Sequence, residues 1–464
     1  MIPLFLAASG TNPLVPLAVS IVLVVLLIGV FRLHAFFSLL IAASVVALWT
    51  AGGGGWSQAI DAVLQAFGAS AGGIGFSIAI AAVIGAALLE SGAADRIVRS
   101  FIATLGEQRA AYALLGAGFV LGIPVFFDTV FFLLVPLARA LSARTGKNYS
   151  LHLLAICAGA VVTHSTVPPT PGPLAMADIM HLDLGKVLLV GLLGGVPPAL
   201  AGLWFAKWSD RRWPIALRAA PGASIEDLKT VAGKPESELP GFLASIAPVA
   251  LPVILIAVTS VATSFRASVP DTVFGVLAFV GNKNVALLLG GVIAVAVYLR
   301  QKKLGWKATE SVVGEPLATA GVIILITAAG GAYGAMIKNS GVGDVIRQWT
   351  GSHGVNVVLL GWAMSALLRA AQGSTTVAVI TTAGLMTSMG GAQGLGVNPL
   401  FLYLAIGYGG LFMSWMNDSG FWIFSRMGGL NERETLKTWT VLLNVVSVAG
   451  LVEALVLSWV LPAH

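Results

Sequence analysis

Apolar residues fill twelve long stretches of this chain, near positions 13–31, 35–50, 72–90, 111–141, 150–184, 185–206, 242–264, 284–299, 312–337, 354–390, 399–427 and 438–460, with charged or turn-forming residues between them. A hydrocarbon core of about 30 Å is crossed by roughly 20 helical residues, so runs of this length predict membrane-spanning helices. The alternating pattern of a membrane barrel is missing, which leaves helices as the expected element. The predicted fold class is an all-α polytopic membrane protein.

Four stretches are not simple crossings. The runs 111–141 and 354–390 are too long for one span and carry Gly, Pro or polar residues at their centres, so each predicts two half-length helices meeting at a tip, a re-entrant hairpin. The run 150–184 is interrupted by Thr163-His164-Ser165-Thr166-Val167-Pro168-Pro169-Thr170-Pro171-Gly172-Pro173, and 399–427 by Asn417-Asp418-Ser419-Gly420. A membrane tolerates such broken helices only inside protein or beside a polar cavity.

The two halves echo each other. Gly85, Ser91, Gly92 and Asp95 recur as Gly334, Ser340, Gly341 and Asp344 at a constant offset of 249, which also carries Ser165 onto Ser414. The expected organisation is a first inverted repeat over 1–206, a partly flexible cytoplasmic linker over 207–239 and a second inverted repeat over 240–464. With the N-terminus outside, 20 Lys and Arg fall in cytoplasmic loops and five in outer loops, leaving Arg369 at membrane depth. That bias agrees with the positive-inside rule.

Composition narrows the class further. Of 464 residues 57% are hydrophobic and 10% charged, against about 25% charged in a soluble domain. Disorder needs the reverse balance. A single cysteine, Cys157, excludes an internal disulfide and a Cys-based metal site, and no metal or cofactor is expected. The net charge of +6 reads as loop bias, not as a nucleic-acid surface. Residues 1–12 show no charged leader region or clear cleavage site, and the segment is expected to be retained.

Ionisable groups at membrane depth are costly and face a cavity or a partner. The predicted topology leaves Asp128, His164, Arg369 and Asp418, each in a tip or a break, with Glu453 interfacial near the outer end of its span. Interrupted helices expose backbone N–H groups that favour an anion, and Arg369 adds a donor suited to a carboxylate, unless it simply pairs with an acid or caps its hairpin. Asp128, Asp418 and His164 are candidates for carrying a coupling proton, with helix capping the alternative for the aspartates. There is no HExxH, P-loop or cysteine cluster, and the adjacent His164 and Ser165 make a poor nucleophile–base pair, so an enzyme is not expected.

Gly122-Ile-Pro-Val-Phe-Phe-Asp128, His164 through Pro173, Arg369-Ala-Ala-Gln-Gly-Ser374, Asn417-Asp-Ser-Gly-Phe-Trp422 and Glu434-Thr-Leu-Lys-Thr-Trp439 together resemble the gluconate permease family, the GntP-type proton symporters. The resemblance runs along nearly the whole chain. It implies proton-coupled uptake of gluconate or a related sugar acid across a bacterial inner membrane, by a homodimer whose hairpin-bearing domain moves like an elevator against a scaffold.

Carried over, the substrate would be lined at the first tip by Gly122, Pro124 and Phe126 and at the second by Arg369, Gln372, Gly373, Ser374 and Thr375. The breaks would add His164, Ser165, Thr166 and Thr170, and Asn417 and Ser419. The family's usual first break has Gly where this chain has Ser165, and a second His where it has Thr170, so a different polyol is open. Sodium coupling, D-serine or another hydroxy acid as cargo, and an uncoupled anion channel are the competing expectations.

Overall fold

The computed structural model describes residues 14–52, 54–218, 238–305, 307, 309–341, 355–388, 396–416 and 418–461. Among them every regular element is helical. The first half contains α1 (Leu14–Val25), continued by a wide π turn over Leu26–Val30, then α2 (Ala35–Ala51), α3 (Trp56–Glu90), α4 (Ala93–Leu105), α5 (Ala110–Leu121), α6 (Phe127–Thr145), α7 (Tyr149–Thr166), α8 (Pro171–Ile179), α9 (Leu184–Gly194) and α10 (Val196–Arg212). The second contains α11 (Phe242–Ser264), α12 (Asp271–Val280), α13 (Lys283–Lys302), α14 (Thr309–Asn339), α15 (Val357–Gln372), α16 (Thr375–Ser388), α17 (Pro399–Gly409), α18 (Ser419–Gly428), the single turn α19 (Glu432–Thr435) and, after a second π turn over Leu436–Thr440, α20 (Val441–Val460). Seven helical segments among the described residues are long and apolar enough to cross a membrane.

The interruptions have local causes. Pro171 opens α8 two positions beyond the Pro168-Pro169 pair, and a proline lacks the N–H that would continue a helix. Gly373, with φ of 80°, ends α15 in the left-handed region that glycine enters without penalty.

Three features depart from the sequence reading. Helix α3 begins at Trp56 and runs for 35 residues, although the apolar stretch begins at 72, because Ala59, Ala62, Leu64, Gln65 and Ala66 are strong helix formers that extend it. Helices α4 and α12 lie between the long apolar stretches; α4 buries Ala93, Ala94, Ile97 and Val98 along one face and leaves charges on the other. The expected linker 207–239 is helical through Arg212 and then without regular structure to Arg218, while 219–237 lie outside the described residues.

Helix α7 is the centre of the molecule, buried along nearly all its length. Its crossing with α5 depends on two glycines: a Cβ on Gly118 would sit 2.6 Å from Ile156 O, and one on Gly159 would sit 2.1 Å from Leu115 O. The small side chains let the backbones approach, as in membrane helix pairs generally. Gly334 of α14 and Gly384 of α16 meet in the same way. A second apolar cluster joins α1 and α2 to α14 and α16 through Leu39, Val46, Ala332 and Ile337.

Candidate functional site

A cavity of about 360 Å³ opens where several helix ends converge. Its polar side comes from the starts of α6 (Phe127, Asp128), α16 (Thr375, Thr376) and α18 (Ser419, Gly420), and from the ends of α7 (His164) and α15 (Arg369). Three helix N-termini aimed at one space make it electropositive through their unsatisfied N–H groups. The opposite wall is Thr319, Ile323 and Ile326 of α14, which recur at helical spacing and are mostly apolar.

Arg369, 2% exposed, is the fixed positive charge. Its Nη2 donates to Asp418 Oδ2 at 2.5 Å and its Nη1 to Gly373 O, while its Nε has no hydrogen-bond partner. Asp418 also caps α18, its Oδ1 accepting from Gly420 N at 3.0 Å. Ser414 Oγ donates to the same Oδ2 that Arg369 holds, and Trp439 Nε1 donates to Ser414 Oγ at 2.7 Å. Thr440 Oγ1 fixes Ser414 from the other side, on its carbonyl at 2.6 Å.

The π turn over Leu436–Thr440 presents Trp439 and Thr440 together, such turns being common at functional sites. The Trp439 ring packs 4.9 Å from Phe127 and 5.6 Å from Phe424.

Asp128 faces the cavity and has neither a hydrogen bond nor an ion pair among the described residues. His164 lines it too, with Nδ1 buried and unpartnered and its ring edge-on to Phe126 at 6.2 Å.

Of the residues proposed from sequence, Phe126, Asp128, His164, Arg369, Gly373, Ser374, Thr375, Asp418 and Ser419 line this cavity. Others do not. Ser165 and Thr166 return their hydroxyls to Val162 O at 3.0 and 2.8 Å. Thr170 donates to Val167 O at 2.7 Å and His164 O at 3.1 Å. All three are closed on backbone carbonyls: Ser165 and Thr166 back-bond one turn down their own helix, as Ser and Thr do in helices, and Thr170 serves carbonyls at the break. Gly122 is a packing residue, since a Cβ there would meet Thr163 Oγ1 at 2.4 Å. Pro124 shapes the tip, its carbonyl directed at Gly85. The side chain of Gln372, the last residue of α15, and Asn417 lie outside the described residues, so neither is placed.

Sequence reasoning missed Trp439, Thr376 and the α14 wall. Trp439 carried a signal, as it ends the motif that begins at Glu434; Thr319, Ile323 and Ile326 carried none beyond ordinary span hydropathy.

The fold and the site define a membrane transporter. In structure the chain is similar to the YdaH transporter of Alcanivorax borkumensis, with a TM-score of 0.57, 16% identity and 86% of each chain covered, a likeness of fold alone. In sequence it is 34% identical over 453 residues to a gluconate permease of Pseudomonas aeruginosa, covering 96% of this chain and 97% of that one. It is 33% identical over 456 residues to the Gnt-II system L-idonate transporter of Escherichia coli, covering 97% and 100%. The family model for GntP family permeases matches residues 12–460, and the chain belongs to that family.

Proposed function

We propose that the protein is a proton-coupled symporter that brings gluconate or a related sugar acid across a bacterial inner membrane. The observation that carries this reading is a buried guanidinium, Arg369, beside converging helix N-termini and a carboxyl, Asp128, that has no hydrogen-bond or ion-pair partner among the described residues. The substrate carboxylate belongs at Arg369 and the helix starts, where N–H donors outnumber acceptors. The hydroxyls of Ser374, Thr375, Thr376 and Ser419 and the ring of His164 suit a polyhydroxy chain. A volume of about 360 Å³ falls in the range of small-molecule sites, about 300–1,000 Å³.

The two aspartates divide the work. Asp418 accepts from Arg369, Ser414 and Gly420 N, three donors that fix it in place as the partner of Arg369. Asp128 has no such donors and is the proton carrier. The contrast between the polar faces of α6, α7, α15, α16 and α18 and the largely apolar wall of α14 supports an elevator movement, because a greasy wall offers no hydrogen bonds to break as the polar body slides. The ends of α3 at Glu90 and α14 at Asn339 stand at the repeat offset of 249, which supports two inverted repeats. A homodimer built on the scaffold completes the proposal.

The test is uptake of labelled gluconate into proteoliposomes under an inward proton gradient without sodium, with L-idonate, other sugar acids and D-serine as competitors. Accumulation above equilibrium that collapses with a protonophore is expected. Accumulation that needs sodium would replace the proton, and passive equilibration would replace symport by a channel.

A further inference from the structure

A second cavity, about 740 Å³, lies between α9, the start of α17 and the last turns of α20. Apart from Asn398 at the start of α17, Gly194 and Glu453, its walls are aliphatic or aromatic, among them Leu193, Phe401, Leu457 and Val460. Leu193 and Val460 are 73% and 58% exposed, so the groove opens sideways onto the surface that faces lipid. One residue does not fit an apolar groove. Glu453, in α20, lines it, and its Oε2 is buried with no hydrogen-bond partner.

The surroundings offer no relief. Tyr408 already donates its hydroxyl to Gly194 O at 2.7 Å, and Asn398, which caps α17 through its side-chain oxygen, makes no hydrogen bond to Glu453 Oε2 among the described residues. The carboxyl is wedged against the bend between α9 and α10, where a Cβ on Gly194 would lie 3.2 Å from Oε1. Among the described residues no Lys or Arg forms an ion pair with Glu453.

A carboxyl within a membrane span, even near its end, is retained when something pairs with it. The occupant must bring a positive charge, N–H donors and an apolar tail, and it must reach the groove from the bilayer. We propose that this groove binds an aminophospholipid, its primary ammonium on Glu453 and an acyl chain along the aliphatic walls. The geometry selects a primary over a quaternary ammonium, because a bare Oε2 needs a hydrogen donor and a trimethylated nitrogen has none. Nothing in this assignment depends on what the central cavity carries.

The experiment compares purified, delipidated full-length protein supplied with phosphatidylethanolamine or phosphatidylcholine of identical acyl chains, with lipid retention read by native mass spectrometry and stability by thermal unfolding. Wild type should retain the ethanolamine lipid about tenfold more tightly, the scale of one charge-assisted hydrogen bond. Glu453→Gln should erase the difference, and Glu453→Lys should turn the preference toward phosphatidylglycerol. Leu193→Trp, which fills the groove from its exposed rim, should lose the preference with the carboxyl intact, and serves if the Glu453 variants fold poorly. Equal retention of the two lipids by wild type would overturn the proposal. So would a preference that survives Glu453→Gln, or a dimer that dissociates in Glu453→Gln while lipid preference is unchanged, which would give the groove to a second copy of the chain.

Discussion

Arg369 and Asp418, 49 positions apart, are joined at 2.5 Å from Nη2 to Oδ2 with both side chains withdrawn from solvent. A guanidinium held by one carboxylate and one carbonyl keeps a fixed orientation, so what reaches the cavity is a positioned charge and not a mobile one. Because the partners are interdependent, single and double substitutions should differ.

Arg369→Ala should abolish substrate binding and also destabilise the protein, since breaking a buried pair strands a charge at a cost of about 3–5 kcal/mol. Arg369→Ala combined with Asp418→Asn should recover much of the stability without recovering binding. Thermal unfolding and equilibrium binding of labelled gluconate separate the two effects; binding by the double variant would remove Arg369 from the site.

Trp439→Phe keeps an aromatic ring against Phe127 and Phe424 but deletes the bond to Ser414. One neutral hydrogen bond contributes about 0.5–1.5 kcal/mol, so KM for uptake should rise roughly 2- to 10-fold with expression unchanged. Ser414→Ala should do the same, and the double variant should add little, because both act through Asp418.

Asp128→Asn should lose accumulation driven by a pH gradient yet retain exchange of labelled for unlabelled substrate across the vesicle. Asp418→Asn should lose both activities. If Asp128→Asn still concentrates substrate on a proton gradient, the coupling residue lies elsewhere.

Thr170→Val should leave the ranking of competing sugar acids unchanged and lower stability by about 1 kcal/mol, because its hydroxyl serves Val167 O and His164 O and not the cavity. A reordered competitor profile would return Thr170 to the substrate.

Away from the cavity, Arg218 grips Glu434 through two bonds of 2.9 and 2.8 Å, pinning the chain after α10 to α19. The Arg218 hydrogen bond holds the Glu434 carboxyl below its usual range, against a smaller opposing effect of burial, with further help from Asn431 N–H. The stabilisation is therefore present above the ordinary carboxyl pKa and is lost as pH falls through the lowered value. Melting temperature should fall more steeply with acid in wild type than in Glu434→Gln, and the difference should shrink in high salt, since Arg218 is about half exposed. Identical acid profiles would show that the pair contributes nothing.

Much of the architecture was readable from the chain alone. Long apolar runs specified helices, and the prolines and glycines at 168–173 and 373 marked where they stop. Helix α4 was missed because its charged face dilutes its average hydropathy, and α12 because, though apolar, ten residues are too few for a span. At the site, the costly residues Asp128, His164, Arg369 and Asp418 announced themselves, since a charge in a membrane requires a reason. Ser165, Thr166 and Thr170 were misread because a hydroxyl in a broken helix looks the same whether it meets a ligand or a neighbouring carbonyl.

Sequence by itself determined the class of element, the membrane setting and the rare ionisable positions, all of which follow from properties each residue carries alone or shares with its near neighbours in the chain. Only the tertiary structure decided which of those positions meet. That Asp418 is braced by Arg369, Ser414 and, behind it, Trp439, while Asp128 has no donor among the described residues and Glu453 lies in a different cavity, depends on where helices cross, and the crossings are set by close contacts such as Gly118 against Ile156 and Gly159 against Leu115, pairs of residues about 40 positions apart.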